Sequence, residues 1–311
     1  FIGEDILSPY GGAFKATVGL SDAYPDRILT SPISEAAIIG ISNGLAISGY
    51  RPFAEIMFGD FMTLAIDQLV NHATKFHTMY NKQVTCPIVV RTPMGGGRGY
   101  GPTHSQTLDK LLLGIDNLLV VALNRFLDPM VFYEQLMHEE RPAVVIENKK
   151  DYARKAGQLP GGLFTKYTLE RSNACYPTLR FSPTAESADV SLVCYGGTVE
   201  VTLQAAENLF AEEELICEVI VLSQINPIPV KELCDAITTE QIVIVEEGTP
   251  KGGFGSEVIA SLVETRQPIQ NIERVASLPV AIPSAMDLEK DVLVSAERIV
   301  SAAVGMANAG N

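Results

Sequence analysis

Residues 87–106 read "PIVVRTPMGGGRGYGPTHSQ". Ile88 to Val90 form an apolar run too short for a helix and unbroken by polar residues, the pattern of a strand buried on both faces of a parallel sheet. Five glycines and two prolines follow before the chain reaches His104, Ser105 and Gln106. A dinucleotide fingerprint starting at Gly95 would need glycine where Tyr100 stands, and no Lys-Ser or Lys-Thr follows these glycines as a phosphate-binding P-loop requires. The loop is therefore not read as a nucleotide cradle.

On either side of it, comparable runs occur at 52–58 ("PFAEIMF"), 117–123 ("NLLVVAL") and 142–148 ("PAVVIEN"). Between them, helical spacing predicts helices over about 34–48, 60–80 and 128–139. Strand and helix alternate as in β-α-β units, whose right-handed crossovers give a doubly wound sheet with ligands at the carboxyl ends of its strands. Periodicity is lost over about 151–186, which reads as a linker or boundary. Alternation then resumes with strands at "DVSLVCYG", "CEVIVLS" and "QIVIVEEG" and helices near 198–210, 230–237, 254–263 and 296–306. The expected fold class is α/β with two doubly wound domains, over 1–150 and 186–311, joined by a linker at 151–185.

The length of 311 residues suits two domains of ordinary size. No apolar run is long enough to span a bilayer, so a soluble protein is expected. A net charge of -14 opposes binding to nucleic acid or an anionic membrane surface. Cys86, Cys175, Cys194, Cys217 and Cys234 are odd in number and lack any C-x-x-C pair, and so read as reduced thiols of a cytoplasmic-type compartment. The opening Phe1-Ile2 resembles the end of an interrupted strand. Sequence upstream is therefore expected, which leaves room for a removed leader and a mitochondrial or plastid address.

Loops after strands are the places to look for chemistry. Glu35 falls in the first turn of an expected helix, where the helix dipole alone favours a carboxylate. The same helix carries Gly40, Gly44 and Gly49, which lower helix propensity and suggest close packing against another element or subunit. Phe58 and Phe61 flank the turn after a strand and offer a face to a planar ligand or simply fill the core. His72 and His77 are five residues apart, not on the shared i, i+4 face of a zinc pair. His104 ends the glycine loop where a new helix is expected to begin, and histidine as a residue type can donate or accept a proton. The glycines of "EEGTPKGGFGSEV" (246–258) open a helix, either binding an anion on free amides or only shaping the turn.

Several motifs in order now resemble the beta subunit of the thiamine diphosphate-dependent 2-oxo acid dehydrogenases. These are "GEDI" with "GGAF", "SPISEAAIIGISNGLAISGYRPFAEIMFGDF", "DQLVNHATK", "VVRTPMGGGRGYGPTHSQ" and "PAVVIEN". The later "YGGTVEVTLQAA" and "EEGTPKGGFGSEV" resemble the carboxy-terminal domain that this subunit shares with transketolase, so the resemblance covers nearly the whole chain.

That resemblance implies roles for particular residues. Glu35 matches the glutamate that hydrogen-bonds N1′ of the cofactor's aminopyrimidine, Phe61 matches an aromatic that lines or stacks on that ring, and His104 matches the active-site histidine; Phe58, at the same turn as Phe61, is taken with it as cofactor-binding. The chain holds no Gly-Asp-Gly, the motif that binds the diphosphate through Mg2+. By the same resemblance, an alpha subunit is expected to supply that half in an α2β2 assembly, with beta–beta contact and a lipoyl acyltransferase core as acceptor. Glu139, Glu140 and Arg141 occupy a region where family members can bind K+. Two other readings remain open at this point: a catalytically silent paralogue acting in assembly, and half of a split transketolase or deoxyxylulose-phosphate synthase.

Overall fold

The computed structural model describes residues 1–157 and 160–309. Its strands are β1 Ile2–Gly3, β2 Leu29–Thr30, β3 Phe53–Glu55, β4 Val89–Met94, β5 Leu119–Ala122, β6 Ala143–Asn148, β7 Tyr167–Arg171, β8 Leu179–Pro183, β9 Val190–Tyr195, β10 Cys217–Leu222, β11 Gln224–Asn226, β12 Gln241–Glu246 and β13 Asn271–Ala276. They form a seven-stranded sheet in the order β11-β5-β6-β4-β3-β1-β2 and a six-stranded sheet in the order β13-β12-β9-β10-β8-β7. The protein has two α/β domains. Within the first sheet all neighbours are parallel except β11 on β5, so the loops leaving β1, β2, β3, β4 and β6 emerge on one edge. That edge is where an open α/β sheet holds its ligands.

The apolar runs become strands buried along nearly their whole length, as continuous burial on both faces requires. Helices at Glu35–Ile47, Pro129–Leu136, Val199–Glu213, Val230–Ala236, Phe254–Glu264 and Ala296–Ala309 occupy the expected places. The expected helix over 60–80 does not form as one element. A 3-10 turn at Gly59–Leu64 gives way to a π-helix at Gln68–Ala73 and a short α-helix at Phe76–Met79. Changing residues per turn shift the phase of the apolar stripe. Met62, Ala65, Leu69 and Ala73 are buried, while Leu64 is 60% exposed.

No helix begins at His104; the chain runs on through turns to a 3-10 turn at Asp109–Leu111. The stretch 151–185 contains β7 and β8, an antiparallel edge of the second sheet. The short β11 crosses back to extend the first sheet, and the two large apolar clusters each draw residues from both halves of the chain. The two sheets thus share their cores. All five cysteines are unpaired, three of them buried.

Candidate functional site

At the carboxyl edge of the first sheet, the loops after β3 and β4 bring three rings together. The His104 imidazole lies edge-on to Phe58 at 4.8 Å and to Phe61 at 5.2 Å, inside the range of favourable aromatic pairs. Phe58 also meets Phe14, from the loop after β1, at 5.5 Å and Tyr100 at 6.1 Å. Thr103 Oγ1 lies 3.0 Å from His104 Nδ1. Asp60 ties the two loops, its Oδ1 accepting from Gln106 Nε2 at 2.8 Å and from the Gln106 amide at 3.3 Å. Its other oxygen is buried and takes no partner among the described residues.

Glu35 starts the helix that leaves β2, and that helix packs on the segment carrying Phe61. Its side chain is buried, yet no described residue donates a hydrogen bond to its carboxylate. Glu4, at the end of β1, accepts the Ser34 amide at 3.1 Å, and burial followed by the charge of Glu35 pushes its carboxyl upward. Two sheltered carboxyls with so few donors fit a ligand that brings its own donor, as a protonated aminopyrimidine N1′ does. The residues implied for the aminopyrimidine therefore fit that group: an open carboxylate on one helix and aromatic rings on the adjoining turn.

The glycine loop serves a purpose that spacing did not disclose. Its amides face carboxylates of the second domain: Gly97 and Gly99 each donate to Glu289 at 2.8 Å, and Gly96 donates to Glu247 at 3.2 Å. Gly97 has φ +85°, and a Cβ there would lie 2.2 Å from Lys150 Cε; at Gly101, with φ +78°, a Cβ would lie 2.5 Å from Ser284 Oγ. The glycines permit a left-handed backbone pressed against its neighbours. Beneath the loop, fully buried Lys149 donates to the Gly95 carbonyl at 2.8 Å and the His104 carbonyl at 2.5 Å. Burial lowers its pKa to about 8, against the opposing pull of Asp60, Glu247 and Glu289.

Other polar groups are structural. Buried Arg91 on β4 bridges Glu55 on β3 and Glu147 on β6, and the Tyr133 and Tyr152 hydroxyls also donate to Glu147. In the 246–258 stretch the Gly255 amide donates to Glu246 at 3.0 Å, so this turn binds its own carboxylate. The Glu139 carboxylate is taken by Arg141 through two bonds of 2.9 Å, and the Glu139 carbonyl accepts from Arg51 at 2.5 Å. Of the helix glycines, Gly40 lies near Gln68 while Gly44 faces open space.

Of the residues expected from the sequence, the structure brings Phe58, Phe61 and His104 together and places Glu35 on the adjoining helix, and it adds Asp60, Lys149 and Glu289, which the sequence reading passed over. Lys149 did carry a signal: it follows directly on β6, at the ligand edge of the first sheet.

Residues 1–155 match the transketolase pyrimidine-binding domain, and residues 182–299 match the transketolase C-terminal domain. The mitochondrial pyruvate dehydrogenase E1 component subunit beta-1 of Arabidopsis thaliana is 34% identical over 97% of this chain and 82% of its own length. The chain belongs to the 2-oxo acid dehydrogenase beta-subunit family. A bacterial relative, the 2-oxoisovalerate dehydrogenase subunit beta of Bacillus subtilis, is 30% identical over 97% of this chain and 90% of its own length. The family fold extends to a split-gene transketolase solved as an inactive beta4 tetramer, with a TM-score of 0.71 at 19% identity, covering 98% of this chain and 90% of that one. Among the described residues no helix is long and apolar enough to cross a membrane.

Proposed function

We propose that this chain furnishes the aminopyrimidine half of a thiamine diphosphate site in a two-subunit 2-oxo acid dehydrogenase, and that Glu35, Phe58, Phe61 and His104 are its working residues. The meeting of His104 with Phe58 and Phe61 at the ligand edge of the first sheet, beside the helix headed by Glu35, supports this reading. When bound, the cofactor supplies a carbon nucleophile and an electron sink for loss of the substrate carboxylate. Glu35 holds a hydrogen bond at N1′ and so sets the proton count of the pyrimidine ring. Phe58 and Phe61 give that ring an apolar wall and keep water from it. His104 moves a proton at the substrate-derived group or aligns the incoming lipoyl arm.

In this reading an alpha subunit binds Mg2+ and the diphosphate in an α2β2 assembly, and a lipoyl acyltransferase core receives the acyl group; the lack of a Gly-Asp-Gly motif in this sequence supports that division. Exposed Ile33, Ala37, Ile41 and Gly44 near the Glu35 turn are surface available to a neighbouring subunit. In place of K+, the guanidinium groups of Arg141 and Arg51 neutralise the Glu139 turn. Calorimetry with thiamine diphosphate and Mg2+ tests the split site: the isolated chain should bind only weakly, and the chain with its alpha subunit tightly. Micromolar or tighter binding by the isolated chain would sink the reading.

A further inference from the structure

We propose that Lys149 and Glu289 are positioning residues for His104, gripping its loop from opposite sides so that the second domain sets where the imidazole stands. This rests on the proposed role of His104. Lys149 binds the carbonyls of Gly95 and His104, the two ends of the loop, and the Gly95 amide closes the base on the Gln106 carbonyl at 3.4 Å. Glu289, 1% exposed at the heart of the helix Met286–Val292, takes the amides of Gly97 and Gly99 at the crest. A cation on the carbonyls and a carboxylate on the amides satisfy the loop backbone with charge-assisted bonds, roughly twice as strong as neutral ones. Glycines that would otherwise be free to move are held, and His104 with them.

The groups facing Lys149 are Asp60 on the turn after β3, Glu247 and Glu289 of the second domain, and Arg98 on the loop itself. Losing the Lys149 proton above about pH 8 weakens the lower grip. The unfolded lysine titrates near 10.4. Between those values the unfolded chain binds more protons, so this group's contribution to stability rises with pH while the grip on the loop loosens. A purely structural lysine would show no fall in activity over that window without a fall in stability.

The test uses Lys149→Met and Glu289→Gln, both close to the native side chains in size. Backbone hydrogen exchange of residues 95–104 is read in the chain itself; turnover, KM and pH profile are read in the reconstituted complex. Glu289→Gln should speed exchange at Gly97 and Gly99 at least tenfold with melting little changed. Lys149→Met should lower kcat about tenfold to a hundredfold with KM nearly unchanged, and should remove the activity decline near pH 8. Unaltered loop exchange in both variants would overturn the proposal, as would a wild-type alkaline limb that survives in Lys149→Met. Loop exchange separates this inference from the proposed function: if His104→Ala proved fully active, the role of His104 would fall, while exchange would still report whether the grip exists.

Discussion

Glu35 and His104 are held in different ways, and their proposed tasks separate in one experiment. A carboxylate whose only purpose was to meet the helix dipole would be worth about 0.3–1 kcal/mol, and Glu35→Gln would cost that and nothing else. If Glu35 instead holds N1′, the amide variant in the reconstituted complex should nearly abolish exchange of the cofactor C2 proton into heavy water while leaving the fold intact. His104→Ala should spare that exchange and slow turnover by about 10²–10⁴-fold, the usual loss of a positioned acid-base group. Running both with an artificial electron acceptor and then with lipoyl domain separates a role before acyl transfer from one in it; unchanged values throughout would return both residues to bland roles. These two residues were legible because they sit in motifs whose order along the chain is distinctive. Glu289 was not, because it meets the loop amides from up to 192 residues away and nothing local marks that pairing.

At the scale of elements, legibility followed burial. Strands covered on both faces print a continuous apolar run, so β4, β5, β6, β9, β10 and β12 could be read directly. β7 is largely exposed, and its stretch shows no period. The 59–79 segment changes its turn size twice, so no single helical phase describes it. The turn at 139–141 invites a separate experiment. Its carboxylate has an internal counter-ion, which also holds the Glu139 pKa below the usual range through hydrogen bonds that outweigh burial. Replacing K+ by Na+ in the buffer should therefore leave activity and melting temperature of the wild-type complex unchanged. Arg141→Asn should lower melting by a few degrees in Na+ and recover part of that in K+. Loss of wild-type activity on removal of K+ would refute the idea that arginine stands in for the ion.

Across the whole molecule, the two domains are joined by polar groups shut inside a shared apolar core, and this joint should make stability depend on pH in a direction opposite to ordinary acid denaturation. Tyr195 of the second domain donates to fully buried Asp109 of the first at 2.7 Å, and burial pushes the Asp109 carboxyl up to about 6. Glu246, 1% exposed at the end of β12, is pushed to about 7, chiefly by burial, with the Gly255 amide pulling the other way. A carboxyl whose folded pKa lies above its unfolded value stabilises most when protonated in both states, and loses that contribution as pH climbs through the folded pKa. For Glu246 the window runs from the ordinary glutamate value of about 4.5 to about 7. Glu246→Gln removes the titration and keeps an oxygen for Gly255. Whatever fixed cost the amide brings, the stability of the variant relative to wild type should improve by at most about 2 kcal/mol between pH 5.5 and pH 8, from linkage over that interval. Denaturant melts at the two pH values give the number directly. A difference that stays constant with pH would mean Glu246 is ionised throughout, with Arg274, 3.8 Å from its second oxygen, compensating the charge that burial was expected to suppress.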